Sequence, residues 1–334
     1  MRPRISVLLP VWNAAASLAT CLHSIARQSE PDWECIVLDD GSTDDSLAVA
    51  RAFADRDPRF RIEARAHEGI VPTLGAGAAL CSAPVIARMD ADDWMHRDRL
   101  ALQLAALDRA PELAAVGCPV RIFPRRGLSE GRRRYEAWLN SLPDAGTIWR
   151  ERFIECPIAH PTLAIRRERL LEVGYRDRGW PEDYDLILRL LRDGPCIGTL
   201  DRRLLGWRDQ PNRLSRMDAR YSLEQFMACR AWHLSRDFLT RSESYILWGH
   251  GRTGRALRKA LALLGHHPST IVEVHPRRIG KTIRNAAVIG PEDLPSKPSD
   301  PIVVSVAGAR PRGEIRAAML RMGFVEGERY VCAA

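Results

Sequence analysis

Two hydrophobic periods alternate along the first half of this chain. Short β-branched or leucine-rich runs, ISVLLP at 5–10 and CIVLD at 35–39 among them, are each followed by segments whose apolar residues recur at helical spacing. The alternation predicts βαβ units around a parallel sheet. Strands are expected at 5–10, 35–39, 60–64, 83–89 and 114–120, with helices at 14–28, 46–54, 73–81 and 97–109. From 127 to 147 the pattern weakens, and GRRRYEAW reads as a solvated helix face. It returns in DYDLILRLL at 183–191, which has helical spacing. Residues 214–240 read as one amphipathic connecting helix. Beyond it, SYILWGHGRTGRALRKALALLG begins a separate unit of strand, glycine turn and helix, and IVVSVAGARPRGEIRAAMLRMGF reads as a closing strand and helix.

Composition narrows the class. With 334 residues and 46% hydrophobic content, the chain can bury a sizeable core and is expected to hold two domains. No apolar run reaches about 18 residues, and MRPRISVLLPVWN passes from arginines into a strand without a small-residue cleavage site, so a cytoplasmic protein without a transmembrane helix is expected. Eight cysteines contain no CxxC pair, which argues against a zinc site or a disulfide framework. The net charge of +8 is almost all arginine, since Lys259, Lys281 and Lys297 are the only lysines. The arginines are spread out and lack basic–aromatic interleaving, so nucleic acid is not an expected partner.

Polar clusters stand where three of the strands end: PVWN at 10–13, DDGST at 39–43 and DADD at 90–93. Ligands of open α/β sheets gather outside the carboxyl ends of strands. Asp90, Asp92 and Asp93 would repel one another if unpaired, so they form a solvated turn, a helix N-cap or a cation site. Glu182 and Asp183, before the helical run at 183–191, suit an N-cap as well as a site.

In this order, ISVLLPVWN, IVLDDGSTDDS, IARMDADDWMHRDRL, HPTLAIRRERL and EDYDLILRL resemble the family 2 glycosyltransferases over roughly residues 4–215. Those are inverting enzymes with the nucleotide-diphospho-sugar transferase (GT-A) fold. The resemblance implies an α/β catalytic domain with a mainly parallel sheet at 1–213; the periodicity beyond it adds a helical connector at 214–242 and a small Rossmann-like α/β domain at 243–334. It implies Mn²⁺ or Mg²⁺ held by Asp92, with Asp90 at the ribose and metal edge and Asp93 next to them. Asp183 matches the general base and Glu182 its neighbour. Pro10, Val11 and Asp40 match the nucleobase contacts, Asn13 belongs to the same nucleotide-sugar loops, and Asp39 supports the turn. The implied donor is a nucleotide-diphospho-sugar, UDP-linked, and the acceptor a glycan or lipid-linked hydroxyl in surface polysaccharide or glycan synthesis. Work at the inner face of the membrane, peripheral association and a homo-oligomer are all compatible with it.

The chain also departs from the family pattern. Leu74 to Gly77 read LGAG where many relatives carry LNxG, so Gly75 replaces an amide side chain. The QxxRW motif of processive members is missing, and LLGWRDQPNRLS at 204–215 resembles the tail of non-processive ones, implying one sugar per encounter. His160 in AHPT suits a structural hydrogen bond better than acid–base work, and Arg166 and Arg167 suit a solvated helix start.

The last unit carries Gly249, Gly251 and Gly254 in GxGxxG spacing, and Glu273 stands at about the distance of a ribose-binding acid. Some 90 residues suffice for one mononucleotide-binding half. The motif fits a ligand site or a structural module that docks a partner. Two other functions are compatible with the chain: a dinucleotide-linked oxidoreductase or nucleotide sensor whose working end is this unit, and a non-catalytic scaffold.

Overall fold

The structure, a computed structural model, describes residues 2–210 and 213–334. It divides into two compact units, the first comprising 1–149, 157–178 and 185–213, the second 150–156, 179–184 and 214–334.

The first unit begins with β1 (Ile5–Val11), α1 (Ala15–Ala26), β2 (Trp33–Asp40), α2 (Ser46–Ala54), β3 (Phe60–Arg65), α3 (Ile70–Leu80) and β4 (Val85–Arg88). Every residue of β1, β2 and β4 is buried, as parallel strands covered on both faces require. There follow β5 (Trp94–Met95), α4 (Arg99–Arg109), β6 (Ala115–Gly117), β7 (Val120–Phe123), α5 (Glu130–Leu139) and α6 (Ala145–Glu151). The remaining elements are β8 (Ala164–Arg166), α7 (Arg167–Val173), α8 (Glu182–Leu190), β9 (Ile197–Thr199) and β10 (Leu205–Arg208). Helices α6 and α8 each continue across a boundary between the two units.

Seven strands form one sheet in the order β3-β2-β1-β4-β8-β6-β9. It is parallel except at β8, which runs antiparallel to both neighbours. A second small sheet, β5-β10-β7, stands beside the loop that follows β4. Helix α3 begins at Ile70, three residues before the sequence suggests, because Gly69 at φ +91° turns the chain and Pro72 suits a first turn. It packs closely on the sheet: a Cβ on Gly77 would stand 2.4 Å from Leu8 Cδ1 and 2.6 Å from Leu38 Cδ1.

In the second unit the expected single helix at 214–240 is broken. Helix α9 (Leu214–Met217) ends at Asp218, a 3₁₀ turn follows at Ala219–Tyr221, and α10 (Leu223–Asp237) starts anew. Two side chains cause the break: Asp218 Oδ1 accepts Arg220 N–H at 2.9 Å and Ser222 Oγ accepts Gln225 N–H at 3.3 Å, so each restarts the helix as an N-cap. The rest is β11 (Ser244–Trp248), α11 (Arg252–Ala262), β12 (His267–Val272), β13 (Thr282–Ile283), β14 (Ala286–Ile289), β15 (Ile302–Val304), α12 (Ala309–Arg321) and β16 (Tyr330–Cys332). These strands form a sheet in the order β13-β14-β12-β11-β15-β16, parallel but for β13.

Two short segments inside 1–213, namely 150–156 and 179–184, group with this second unit. Buried polar groups explain it. The Arg230 guanidinium donates to Ile154 O at 2.7 Å and Ala333 O at 3.1 Å, Tyr184 Oη donates to Arg152 O at 2.8 Å, and Glu151 pairs with Arg316 at 2.7 Å. All eight cysteines are free thiols, seven of them buried. No helix among the described residues is long and apolar enough to cross a membrane.

Candidate functional site

Three carboxylates gather where β4 ends. Oxygens of Asp90, Asp92 and Asp93 lie within 4.8 Å of one another. The turn bearing them is anchored from below, because Arg99, fully buried, donates to Arg88 O at 2.9 Å and Met89 N–H donates to Leu8 O at 3.1 Å. It is also anchored from the side, by a Ser17 Oγ bond to Ala91 O at 3.2 Å.

The three acids differ in what holds them. Arg88 meets Asp90 Oδ1 at 2.5 Å and Arg213 stands 3.9 Å from Oδ2. Burial opposes charge on Asp90, but the two guanidiniums outweigh it and bring its carboxyl below the ordinary value. Asp92 accepts Gln210 Nε2 at 3.0 Å; burial and then the Asp90 charge push its carboxyl up. Asp93 accepts Arg208 N–H at 2.6 Å through Oδ1, while its buried Oδ2 has no partner among the described residues. Burial, with Asp90 and Asp92 beside it, drives the Asp93 carboxyl well above its usual range. A buried acceptor left unmatched among crowded negative charge is what a hard cation relieves, and the donor set is all oxygen. These residues fit Mg²⁺ or Mn²⁺.

Sequence reasoning missed the residues that frame these acids. Arg208, Gln210 and Arg213 come from the end of β10 and the segment after it, more than a hundred positions from the carboxylates they touch. They stood in plain view within LLGWRDQPNRLS, but spacing alone assigns them no partner.

Next to this cluster in the sheet, β1 and β2 end in register, with Pro10 opposite Leu38 and Val11 opposite Asp39. Asn13 takes the left-handed conformation at φ 48°, which asparagine tolerates. Its Oδ1 accepts Thr43 N–H at 2.8 Å and its N–H donates to Ser42 Oγ at 3.0 Å, locking the first loop to the second. Asp39 Oδ2 accepts Ser42 N–H at 3.1 Å, the turn-supporting role expected of it, and its buried Oδ1 is left unmatched among the described residues. Asp40 accepts the N–H groups of Glu68 and Gly69 at 2.9 and 3.0 Å and meets His67 Nδ1 at 2.9 Å. His67 in turn stacks on Trp12, ring centroids 4.7 Å apart, and Trp12 is half exposed. Gly41, at φ +69°, lets this contact form, since a Cβ there would stand 2.7 Å from His67 N. The aromatic platform of Trp12 and His67 was also unforeseen.

The other expected residues have definite environments. His160 is buried, bonded to Tyr175 Oη at 2.9 Å, and held neutral by burial and the nearby Arg88, which push its pKa down to about 3. That is the structural role. Arg166 and Arg167 are half-buried and not merely solvated: Arg166 donates to Leu113 O and Leu107 O at 2.9 and 2.8 Å, and Arg167 to Cys81 O at 2.6 Å. They tie down carbonyls at the ends of α4 and α3 and in the loop before β6.

Glu182 and Asp183 group with the second unit, at the start of α8. Glu182 is buried and its Oε2 accepts Tyr221 Oη at 2.7 Å. Asp183 is partly exposed and its Oδ1 lies 2.7 Å from Tyr184 N–H. In the same unit Gly249 and Gly251 lie in the turn from β11 into α11 and Gly254 in the first turn of that helix, and Glu273 follows β12, where it accepts His250 N–H at 3.3 Å and Arg278 at 2.7 Å.

A family model described as glycosyl transferase family 2 matches residues 6–174. EpsE of Bacillus subtilis (strain 168), described as a glycosyltransferase, is 29% identical over 239 residues, covering 68% of this chain and 82% of its own. The amylovoran biosynthesis glycosyltransferase AmsE of Erwinia amylovora is 28% identical over 199 residues, covering 58% of this chain and 72% of its own. Among solved structures, S. aureus TarS 1–349 in complex with UDP-GlcNAc superposes with a TM-score of 0.54 at 15% identity, over 78% of this chain and 72% of that one. The mannosyltransferase PcManGT from Pyrobaculum calidifontis, in complex with GDP-Man and Mn²⁺, gives 0.50 at 19% identity, over 79% and 70%. At such identities the two structures establish the GT-A-like fold alone.

Proposed function

The chain belongs to glycosyl transferase family 2, and from that premise we propose that it transfers one sugar per encounter from a nucleoside-diphosphate sugar, UDP-linked, to a hydroxyl of a glycan or lipid-linked acceptor, with inversion. The observation that carries the proposal is the carboxylate cluster at the end of β4, with its unmatched buried oxygen on Asp93. The similarity to an amylovoran biosynthesis enzyme supports surface polysaccharide as the product class. The comparisons fall on glycosyltransferases and lend no support to an oxidoreductase.

Asp92 and Asp90 would hold Mg²⁺ or Mn²⁺, with Asp93 beside them. A bound divalent cation supplies charge compensation for the diphosphate as the anomeric C–O bond breaks. The chain's own groups do the rest. Asp40, fixed by the two backbone N–H groups of the Glu68–Gly69 turn, and the backbone of Pro10 and Val11 receive the base, while Asn13 and Asp39 keep the two loops rigid around it. Gln210 orients Asp92, and Arg213 places positive charge beside Asp90 where the diphosphate would lie. In a single displacement the acceptor oxygen bonds to the anomeric carbon, the diphosphate leaves with the electron pair of the broken bond, and Asp183 takes the acceptor's proton.

The test is a transfer and donor-hydrolysis assay across nucleotide sugars with Mn²⁺, using wild type and Asp183→Asn. Asparagine keeps the size of the side chain, so UDP binding should survive while transfer falls by at least about 10²-fold, the usual scale of a general base. A joint fall in transfer and UDP affinity would make Asp183 a binding residue instead. Absence of turnover in wild type with every donor would end the transferase assignment.

A further inference from the structure

The sheet of the second unit reverses its winding at β11. Strands β12, β14 and β13 lie on one side of it and β15 and β16 on the other. Such a switch point opens a crevice at the carboxyl ends of the two central strands, here β11 and β15. Two glycine turns border it. Gly249 at φ +94° leads into α11 and Gly308 at φ +102° leads into α12.

The first turn is built for close approach. A Cβ on Gly254 would stand 2.1 Å from Gly249 O, and one on Gly249 would stand 2.4 Å from Val306. Gly251 is different, because nothing lies within 4 Å of its Cβ position, and it caps α11 without any side-chain bond to the helix's free N–H groups. Open space therefore faces uncapped donors.

Independent of the helix end, buried polar groups here lack partners. Ser305, 3% exposed, follows β15; its Cβ lies 3.7 Å from the Cβ position of Gly254, so it faces the first turn of α11. Its hydroxyl has no partner among the described residues, and neither has Nε2 of His250, which is 6% exposed and sits within the glycine turn itself. Nε of Arg258, on α11, is unmatched as well. A buried polar group without a partner is costly, and a ligand that supplies one relieves that cost. Burial first, and then the charges of Arg258, Arg255 and Arg278, lower the His250 pKa and favour its neutral imidazole, one of whose tautomers carries a proton on Nε2.

We propose that the second unit binds a nucleoside diphosphate, its phosphates against the N-terminus of α11 with Ser305 Oγ and His250 Nε2 donating to phosphate oxygens, and its ribose toward Glu273 at the end of β12. Backbone N–H groups, the helix dipole and neighbouring guanidiniums together suit an anion. Glu273 is already held as a carboxylate by Arg278 and His250 N–H, and such an oxygen accepts a ribose hydroxyl. This site is separate from the β4 carboxylates and does not depend on the transferase proposal.

A UDP-sugar and an adenine dinucleotide share this moiety, so both are probed. The full-length chain in EDTA is titrated calorimetrically with UDP and with ADP-ribose, as wild type, Gly251→Asp and Ser305→Ala. Aspartate is a favoured N-cap residue, so Gly251→Asp should melt no lower than wild type while its carboxylate occupies the anion position. The expected result is one binding event, with one or both probes, that Gly251→Asp abolishes and Ser305→Ala weakens about 5-fold, the scale of one neutral hydrogen bond. If UDP also binds the first unit, that event persists in Gly251→Asp and the stoichiometry falls by one. The responding probe names the source of the ligand. Binding by neither probe, or binding unchanged in both variants, overturns the proposal; should Gly251→Asp fail to fold, unchanged binding in Ser305→Ala does so alone.

Discussion

Asp92→Asn should make the metal-free protein more stable while removing its response to metal. Two full charges no more than 4.8 Å apart repel by at least about 3.5 kcal/mol at the effective dielectric of 20 that suits partly buried pairs. Arg88 at 2.5 Å and Arg213 at 3.9 Å already absorb much of that for Asp90, and the raised carboxyls of Asp92 and Asp93 reduce their own charge. A net relief of about 1 kcal/mol remains, which corresponds to a rise of about 2–4 °C in Tm for a unit of this size. Asparagine Oδ1 can still accept from Gln210, so no hydrogen bond is lost in exchange. Metal acts in the opposite direction: at 100 times its Kd, Mn²⁺ should stabilise wild type by about 2.7 kcal/mol. Thermal melts of both proteins in EDTA and in excess MnCl₂ measure the four states needed. A variant that melts below wild type in EDTA, or that keeps the full Mn²⁺ shift, would refute the electrostatic reasoning and remove Asp92 from the cation site.

Three further outcomes follow from the structure. His160 has a folded pKa near 3 against an ordinary 6.5, so the folded state binds fewer protons; its contribution is fully present above pH 6.5 and is lost as pH falls toward 3, amounting to about 2 kcal/mol by pH 5. Urea midpoints at pH 7 and 5 should therefore converge in His160→Gln relative to wild type, and equal slopes would show that another group titrates. Gly206→Ala should cost about 1–3 kcal/mol and disturb Trp94 fluorescence, since a Cβ would stand 2.2 Å from that ring, next to the carboxylate turn; an unchanged spectrum and melt would contradict the packing. Ending the chain at Ser242 strips Arg316 from buried Glu151 and Ala333 from buried Arg230, so the shortened protein should lose about 3–5 kcal/mol or fail to fold, and a wild-type melting profile would show those pairs to be dispensable.

What the sequence made legible was local. The strands that end at Asp40 and just before Asn13 and Asp90 could be read because period and turn chemistry act over a few residues, and the acids at 90–93 declared themselves by crowding. The Asp218 and Ser222 caps were equally local, yet the apolar spacing at 214–240 hid them by continuing through the break. Gln210 and Arg213 were illegible for a different reason. Their meaning lies in a pairing across more than a hundred positions, and no spacing rule reports that. Arg166 and Arg167 were misjudged because charge suggests water, whereas here both guanidiniums also donate to backbone carbonyls at the ends of α4 and α3 and in the loop before β6. The GT-A-like fold followed from motifs in order; the membership of 150–156 and 179–184 in the second unit depended on Arg230, whose partners no motif names.

The assignment of those two segments has a consequence for how the protein comes into being. Passing along the chain, the polypeptide enters and leaves the second unit repeatedly before finally remaining in it from Leu214 onward. During synthesis, Arg152, Ile154 and Tyr184 emerge long before Arg230 and Arg316, the residues that satisfy the polar groups around them. Glu182 likewise emerges before Tyr221, whose hydroxyl it accepts at 2.7 Å, so the first-made pieces of the second unit wait for partners that are synthesised later. The second unit can therefore close only once the chain beyond Leu214 has been made.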